Sequence, residues 1–335
     1  MPEATETVIP MEATKPESAS MNSDIGRAEI RVRGRSAWVP SAKVDGRTVV
    51  VTSKWLRIAE VKDEDLCEGQ TVPDVGSFLS KLRRSRLNAD LFTFGQRIPD
   101  AEKRYNFHTE WDNAAALAIT TYDHWWKECT EYSVRKAVNK AMRSGVVARV
   151  AEFNDDFVSA VCRMYAESPV RQGRAFWHYG KDFQTIKREL ATYLDRSVFL
   201  GAYYENELIG SMKFTYVDST APIMQIFCSH RHFDKRPNNA LIAKAVEVCE
   251  RDGKSHLIYG SFVYNALDTS LTEFKRRNGF TPVPLPRYYV PLTLKGSIAL
   301  KLGLHRGLAS CLPPSLLKRL RDARNAWYSR KVNHA

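Results

Sequence analysis

The chain has six cysteines, at 67, 129, 162, 228, 249 and 311, and no two of them form a CxxC pair. A disulfide framework or a structural zinc site is therefore not expected. Cys162, Cys228 and Cys249 lie inside apolar runs, so they read as reduced, buried thiols of a cytosolic protein. No apolar run reaches the roughly 18 residues a transmembrane helix needs. The N-terminal stretch MPEATETVIPMEATKPESASMNSD holds five acids and one Lys and has no apolar centre. That excludes a signal peptide, and residues 1–27 read as a disordered tail. No GxSxG or comparable nucleophile motif is present, so a covalent serine or cysteine mechanism is not expected. His230 and His232 would share one face of a strand, but spacing supplies no third ligand, and no metal is expected. No internal repeat is evident.

What is present is a soluble globular composition: 335 residues, 44% apolar and 26% charged, with room for about two domains. The formal charge of +12 is uneven, with −4 over 1–24, +8 over 25–292 and +8 over 293–335. A basic body suits anionic partners: nucleotide cofactors, phosphorylated acceptors, RNA or an anionic membrane surface.

Periodicity then orders the chain. Residues 28–61 read as β-rich, with a turn at Asp45-Gly46. Residues 75–87 have helical spacing at Phe78, Leu79 and Leu82, 89–98 read as a strand, and 110–120 as a buried apolar segment. Residues 122–147 read as a single helix, capped by Asp123 and ended by Gly145. Trp126, Cys129, Val134, Val138 and Met142 lie on its apolar side, and Arg135, Lys136, Lys140 and Arg143 opposite. Beyond 146 the order is β-α-α-β-β-β-α-β-α-β. Asn154 caps the first helix of that half, and Glu205-Asn206 turns its hairpin. Residues after 293 read as two basic helices separated by Pro313-Pro314.

Three segments carry chemistry. The basic turn in SHRHFDKRPNNALIAKAVEVCERDGKSHLIYG (229–260) opens a helix whose apolar face is Leu241, Ile242, Ala245, Val246 and Cys249. Asn238 or Asn239 is expected to cap it, beside Pro237. Free N–H groups in its first turn, with Arg231, Lys235 and Arg236 nearby, favour an anion without any glycine. PVRQGRAFWHYGK (169–181) gathers Arg171, Arg174, Trp177, His178 and Tyr179. Arginine suits a carboxylate or phosphate, the aromatic residues suit stacking on a sugar or base, and His178 is a candidate general base. Each pattern has a plainer reading beside it: a capped helix with a solvated turn, and a packed aromatic loop.

The order over 146–292 resembles the acyltransferase fold of the GNAT superfamily of N-acetyltransferases. YYENELIGSMKF is similar to that family's hairpin, and FKRRNGF to the end of its terminal helix. The resemblance departs from ordinary members at two places. The glycine-rich turn is replaced by HRHFDKRPNNAL, and the usual Tyr by Lys275. Both departures resemble the Fem-type branch, which attaches amino acids to peptidoglycan precursors and has a Phe-Lys pair before a Gly. That branch has two such domains in tandem. The implied fold is a mixed-sheet α/β (α+β) acyltransferase with a degenerate copy at 28–145, a catalytic domain at 146–292 and a basic helical extension at 293–335.

The resemblance implies a transfer from acyl-CoA to an amine of a sugar-linked or phosphate-bearing acceptor. It assigns catalysis to Lys275, His178 and Tyr264, and donor contacts to Arg231, Lys235, Arg236, Asn238, Asn239 and Asn265. Acceptor contacts fall to Arg171, Arg174, Trp177 and Tyr179. Two alternatives stay open: aminoacyl-tRNA as donor for a cell-wall precursor, and a catalytically inactive scaffold. The acceptor would be a small or lipid-linked molecule in a cytoplasmic setting. The C-terminal basic helices would either lie on an anionic membrane or pack on the catalytic domain.

Overall fold

The structure is a computed structural model that describes residues 25–32, 35–171, 174–264 and 268–307. Residues 1–24 of the expected tail, Asn265 and residues 308–335 lie outside the described residues, while Gly26 and Arg27, expected in the tail, belong to the first strand.

The strands are β1 (Gly26–Val32), β2 (Arg35–Val44), β3 (Arg47–Thr52), β4 (Ile58–Val61), β5 (Leu91–Gly95), β6 (His108–Ala118), β7 (Val147–Ala151), β8 (Val170–Arg171), β9 (Arg174–Ala175), β10 (Ser197–Tyr204), β11 (Glu207–Thr215), β12 (Thr220–Cys228), β13 (His256–Ser261) and β14 (Thr281–Pro291). The helices are α1 (Val75–Arg84), α2 (Tyr122–His124), α3 (Tyr132–Arg143), α4 (Asp155–Ala166), α5 (Phe183–Leu190), α6 (Pro237–Arg251), α7 (Ser270–Arg277) and α8 (Leu294–Lys301). From β7 onward, apart from the short β8–β9 hairpin, the order is the expected β-α-α-β-β-β-α-β-α-β.

Twelve strands form one mixed sheet in the order β1-β2-β3-β4-β5-β14-β6-β13-β12-β11-β10-β7. β6, from the first half of the chain, pairs antiparallel with β13 on one side and β14 on the other. The sheet therefore runs unbroken across position 145, and the two halves interlock through β6. Hairpin turns fit their residues. Asp45 has φ 48° and Gly46 74°, while Glu205 has 48° and Asn206 64°, the left-handed pairs that tight hairpins require.

β10 and β11 are buried on both faces, which explains their near-continuous apolar sequence. Leu200 and Ala202 share a core with Leu241, Ala245 and Val246 of α6 and Val134 and Val138 of α3. Phe199 and Leu208 join Val158, Val161 and Ile186 of α4 and α5 in another. A third core lies under α1 around Phe78, Phe92 and Tyr288. α8 seats Ala299 on Leu56 and Leu91.

The single helix read over 122–147 is a correction. Thr121, not Asp123, caps α2 by accepting from His124 N. A wide turn over 125–129 follows, and Glu131 is extended before α3 begins. The cause is Trp125: its ring is buried, and its Nε1 donates to Asn278 O at 3.0 Å, so the chain unwinds to place it. Met142 consequently turns outward, 65% exposed, and Ala141 takes the core position. Asn154 caps α4 as expected, accepting from Phe157 N at 3.0 Å. Among the described residues no helix is long and apolar enough to cross a membrane.

Candidate active site

β12 and β13 run parallel and pair over three positions only, Thr220–Pro222 against His256–Ile258. β12 then stays with β11, and the end of β13 stays with β6, where Phe262 N donates to Asn113 O. The sheet splits into a V. Along the split, the backbone groups of the two strands no longer satisfy one another, so a ligand with amide or carbonyl groups can pair there.

Lys275 lies against the β13 side of this split. Its Nζ donates to Ser261 O at 2.7 Å, and it stands 4.6 Å from the Tyr259 ring centre and 4.8 Å from that of Tyr264. The side chain is fully buried with no carboxylate partner among the described residues. Desolvation lowers its pKa to about 8. It is thus still cationic at neutral pH, held by π faces and one carbonyl. Gly260 makes the arrangement possible: at φ 56°, a Cβ there would lie 2.6 Å from the Tyr264 hydroxyl. Tyr264 itself is 45% exposed and closes the cage toward solvent.

On the other side of α7 lies a groove of about 580 Å³ between α3, α6 and α7. Lys136 and Lys140 of α3, Arg236 and Asn239 at the start of α6, and Glu273 and Arg277 of α7 line it, with Phe274 and Asn278 beneath. Of these cations Arg277 is paired with Glu273 at 2.7 Å and lies 3.6 Å from Glu131, while no ion pair engages Lys136, Lys140 or Arg236 among the described residues. The groove is held by tertiary hydrogen bonds: Glu131 N donates to Arg277 O at 3.1 Å, and Trp125 Nε1 to Asn278 O. Gly279 lets α7 come this close. Its φ is 87°, and a Cβ would stand 3.0 Å from both Cβ and O of Cys129.

The cap of α6 differs from expectation. Neither Asn238 nor Asn239 caps it, because both fall within its first turn after Pro237. Arg236 is the N-cap, in the left-handed region at φ 59° and without a side-chain cap bond. A non-glycine residue there is strained by roughly 1–2 kcal/mol. The uncapped first turn presents partial positive charge to the groove. Asn239 Nδ2 reaches Asn278 Oδ1 at 3.5 Å, tying α6 to α7.

Of the donor residues named from sequence, the groove therefore collects Arg236 and Asn239. Arg231 is exposed in the preceding turn. Lys235 stacks 4.7 Å from the Tyr204 ring. Asn238 does not line the groove, and Asn265 lies outside the described residues. β12 ends at Cys228, so His230 and His232 sit in the turn and share no strand face. Lys136, Lys140 and Arg277 were missed as site residues. Their sequence signal was the basic face at 135, 136, 140 and 143, together with KRR in α7.

The acceptor-side residues form a separate cluster. Arg171 donates to Cys228 O and Met164 O, both at 2.9 Å, and its guanidinium lies 4.0 Å from the Phe227 ring centre and 4.7 Å from that of Phe176. His178 packs 4.6 Å from the Tyr165 ring, with Nδ1 3.3 Å from Lys181 Nζ. Burial, then the Lys181 charge, lowers its pKa to about 4. It is neutral at physiological pH and only weakly basic. Trp177 and Tyr179 are 58% and 48% exposed. Only the backbone of Arg174, in β9, is described. Among the described residues no hydrogen bond or ion pair joins this cluster to Lys275.

His108, Glu110 and His305 bring ligand-type atoms within 4.8 Å of one another, a set that could hold a metal ion. Glu110 Oε1 already lies 2.6 Å from His305 Nε2 and accepts from Arg306 Nε at 2.7 Å, so its oxygen is engaged in a hydrogen-bond network. The described cysteines are all free, and burial raises Cys228 to about 11 and Cys249 to about 12.

No known family model matches this chain, and no curated protein matches it in sequence. Solved structures do. FemX aligns with a TM-score of 0.53 at 9% identity, over 79% of this chain and 88% of its own. The C-terminal domain of a putative lysylphosphatidylglycerol synthetase from Agrobacterium fabrum aligns at 0.50 and 13%, over 78% and 87%. L-PGS from Bacillus licheniformis aligns at 0.50 and 14%, over 78% and 85%. At these identities the likeness concerns fold alone: this chain has a fold like that of FemX and of these two further structures.

Proposed function

We propose that the protein transfers an acyl or aminoacyl group from a phosphate-bearing donor to an amine. The single observation carrying this reading is that α7 holds both halves of such a site. One side supports a cationic groove at an uncapped helix start, and the other buries a lysine beside a split sheet. The groove volume falls within the ~300–1,000 Å³ typical of ligand sites.

In this reading the donor's phosphates contact Lys136, Lys140, Arg236 and Arg277. Its acyl arm enters the split between β12 and β13. The acceptor nitrogen attacks the carbonyl carbon, the C–S or C–O bond to the donor breaks, and the amine proton leaves with the departing group. Negative charge gathers on the carbonyl oxygen as the tetrahedral intermediate forms. Lys275 is the group that stabilises it, as a cation in a desolvated pocket where such an interaction is strongest. Tyr264 and Tyr259 hold that cation in place. Trp177 and Tyr179 are exposed and serve the acceptor. Arg171, fixed on two carbonyls between two rings, shapes that side without contacting the ligand. His178 is too weak a base to draw a proton from an ammonium and is placed as packing.

The donor's identity separates two versions. Acyl-CoA fits the groove and the split together. Aminoacyl-tRNA is favoured by the basic face of α3 and by the FemX-like fold. A thermal-shift series with acetyl-CoA and free CoA, paired with aminoacyl-tRNA binding across a salt series, tests both. A bound donor at about 100 times its Kd adds about 2.7 kcal/mol to stability. RNA binding through several phosphates falls steeply with salt. If neither donor binds, the chain is an inactive scaffold.

A further inference from the structure

α8 and its C-cap Leu302 carry Leu294, Ile298 and Leu302 at helical spacing on the outer face, and they are 78%, 51% and 66% exposed. Trp55, 60% exposed, stands in the adjoining loop. The patch is held rigidly. Ala299 is buried on Leu56 and Leu91, and Thr293 caps the helix. Lys295 Nζ bonds Trp55 O and lies 5.6 Å from its ring centre. Lys54 and Lys301 are exposed around the apolar side chains, Lys295 is ion-paired to Asp90 at 3.2 Å, and residues 291–307 themselves contain no Asp or Glu.

We propose that this face docks on an anionic lipid bilayer, with Trp55, Leu294, Ile298 and Leu302 entering the headgroup region and Lys54 and Lys301 meeting lipid phosphates. Apolar residues beside a basic rim, with a tryptophan among them, are the composition of an interfacial helix. Charge decides between occupants. The chain's own residues 308–335 carry six Lys/Arg and one Asp, so they would bring like charge onto a basic rim. A second copy placed face to face would do the same. An anionic surface attracts the rim and the following segment together. The inference stands independently of the acyl-transfer reading.

The test is co-sedimentation of the full chain with vesicles of phosphatidylcholine alone and of phosphatidylcholine with phosphatidylglycerol. Wild type is expected to bind the anionic vesicles, and less as salt rises. Replacing Leu294, Ile298 and Leu302 together by Asn should lower partitioning at least about 100-fold, since three large apolar side chains leave the membrane. These side chains are exposed, so the melting temperature should hold. Lys54→Ser with Lys301→Ser should reduce the preference for phosphatidylglycerol. Absence of wild-type binding overturns the proposal. So does unchanged binding by the triple Asn variant, which would move the contact elsewhere on the chain. A wild-type dimer that the triple Asn variant dissolves would also overturn it, making the face a contact between copies.

Discussion

Replacing Lys275 by Met should remove transfer activity without weakening the fold. A fully buried ammonium with no carboxylate partner is a liability to stability. Its pKa falls from 10.5 to about 8, and at about 1.4 kcal/mol per unit that shift amounts to about 3.5 kcal/mol at most. Met has a similar volume and costs less than about 1.5 kcal/mol in packing. The lost hydrogen bond to Ser261 O is worth about 1 kcal/mol. The terms nearly cancel or favour Met, so denaturant unfolding at pH 7 should find the variant as stable as wild type or more so. The pH dependence fixes the cause. Below pH 8 the lysine is protonated in both states, and the folded state carries the full penalty. Between pH 8 and 10.5 the folded protein releases a proton that the unfolded chain keeps, so wild type gains on the variant as pH rises. A stability difference constant from pH 7 to pH 10 would refute the reasoning. A variant several kcal/mol less stable than wild type would show Lys275 to be a structural anchor.

Four further outcomes follow from the same geometry. With Lys275 acting as a cation, the transfer rate should fall as pH rises through about 8, and a rate that climbs through that pH would make it a base instead. Gly279→Ala should destabilise the fold by about 2–4 kcal/mol, combining a left-handed Ala with the approach to Cys129, as read from a denaturant midpoint. Arg287 bridges half-buried Glu64 and, through Nε at 2.6 Å, Asp112. Arg287→Met should therefore cost about 3–5 kcal/mol by stranding the Glu64 carboxylate. Trp177→Ala should leave donor affinity unchanged and raise the acceptor KM, a split that steady-state kinetics with both substrates resolves.

Much of the second half was legible because its signals are local. Asn154 caps a helix in sequence and in structure, Glu205-Asn206 turns a hairpin, and the apolar runs of β10 and β11 announce strands covered on both faces. Lys275 stands out only through the resemblance of FKRRNGF to the Fem-type branch. What could not be read depends on partners far along the chain. The small residues of β6 form a buried strand, but nothing in AAALA tells that it slides between β13 and β14. Lys136 and Lys140 look like any solvated helix face until Val134 and Val138 pack on α6 and turn that face toward Arg236. Arg171 in an aromatic loop reads the same whether its guanidinium faces solvent or, as here, is tied to Cys228 O at 57 residues' distance. Trp125 breaks a helix that its own periodicity favours, because its bond to Asn278 outweighs the turn it disrupts.

The most direct test of the donor groove is the affinity of the donor for Lys136→Ala/Lys140→Ala, measured at equilibrium beside wild type over a salt series. In the proposed function each lysine would make a charge-assisted contact worth about 1.5–3 kcal/mol. The account predicts a loss of affinity of at least about 100-fold and a shallower salt dependence, with the melting temperature of the free protein unchanged. Equal affinity for the variant and wild type would contradict it and place the donor outside the groove between α3, α6 and α7.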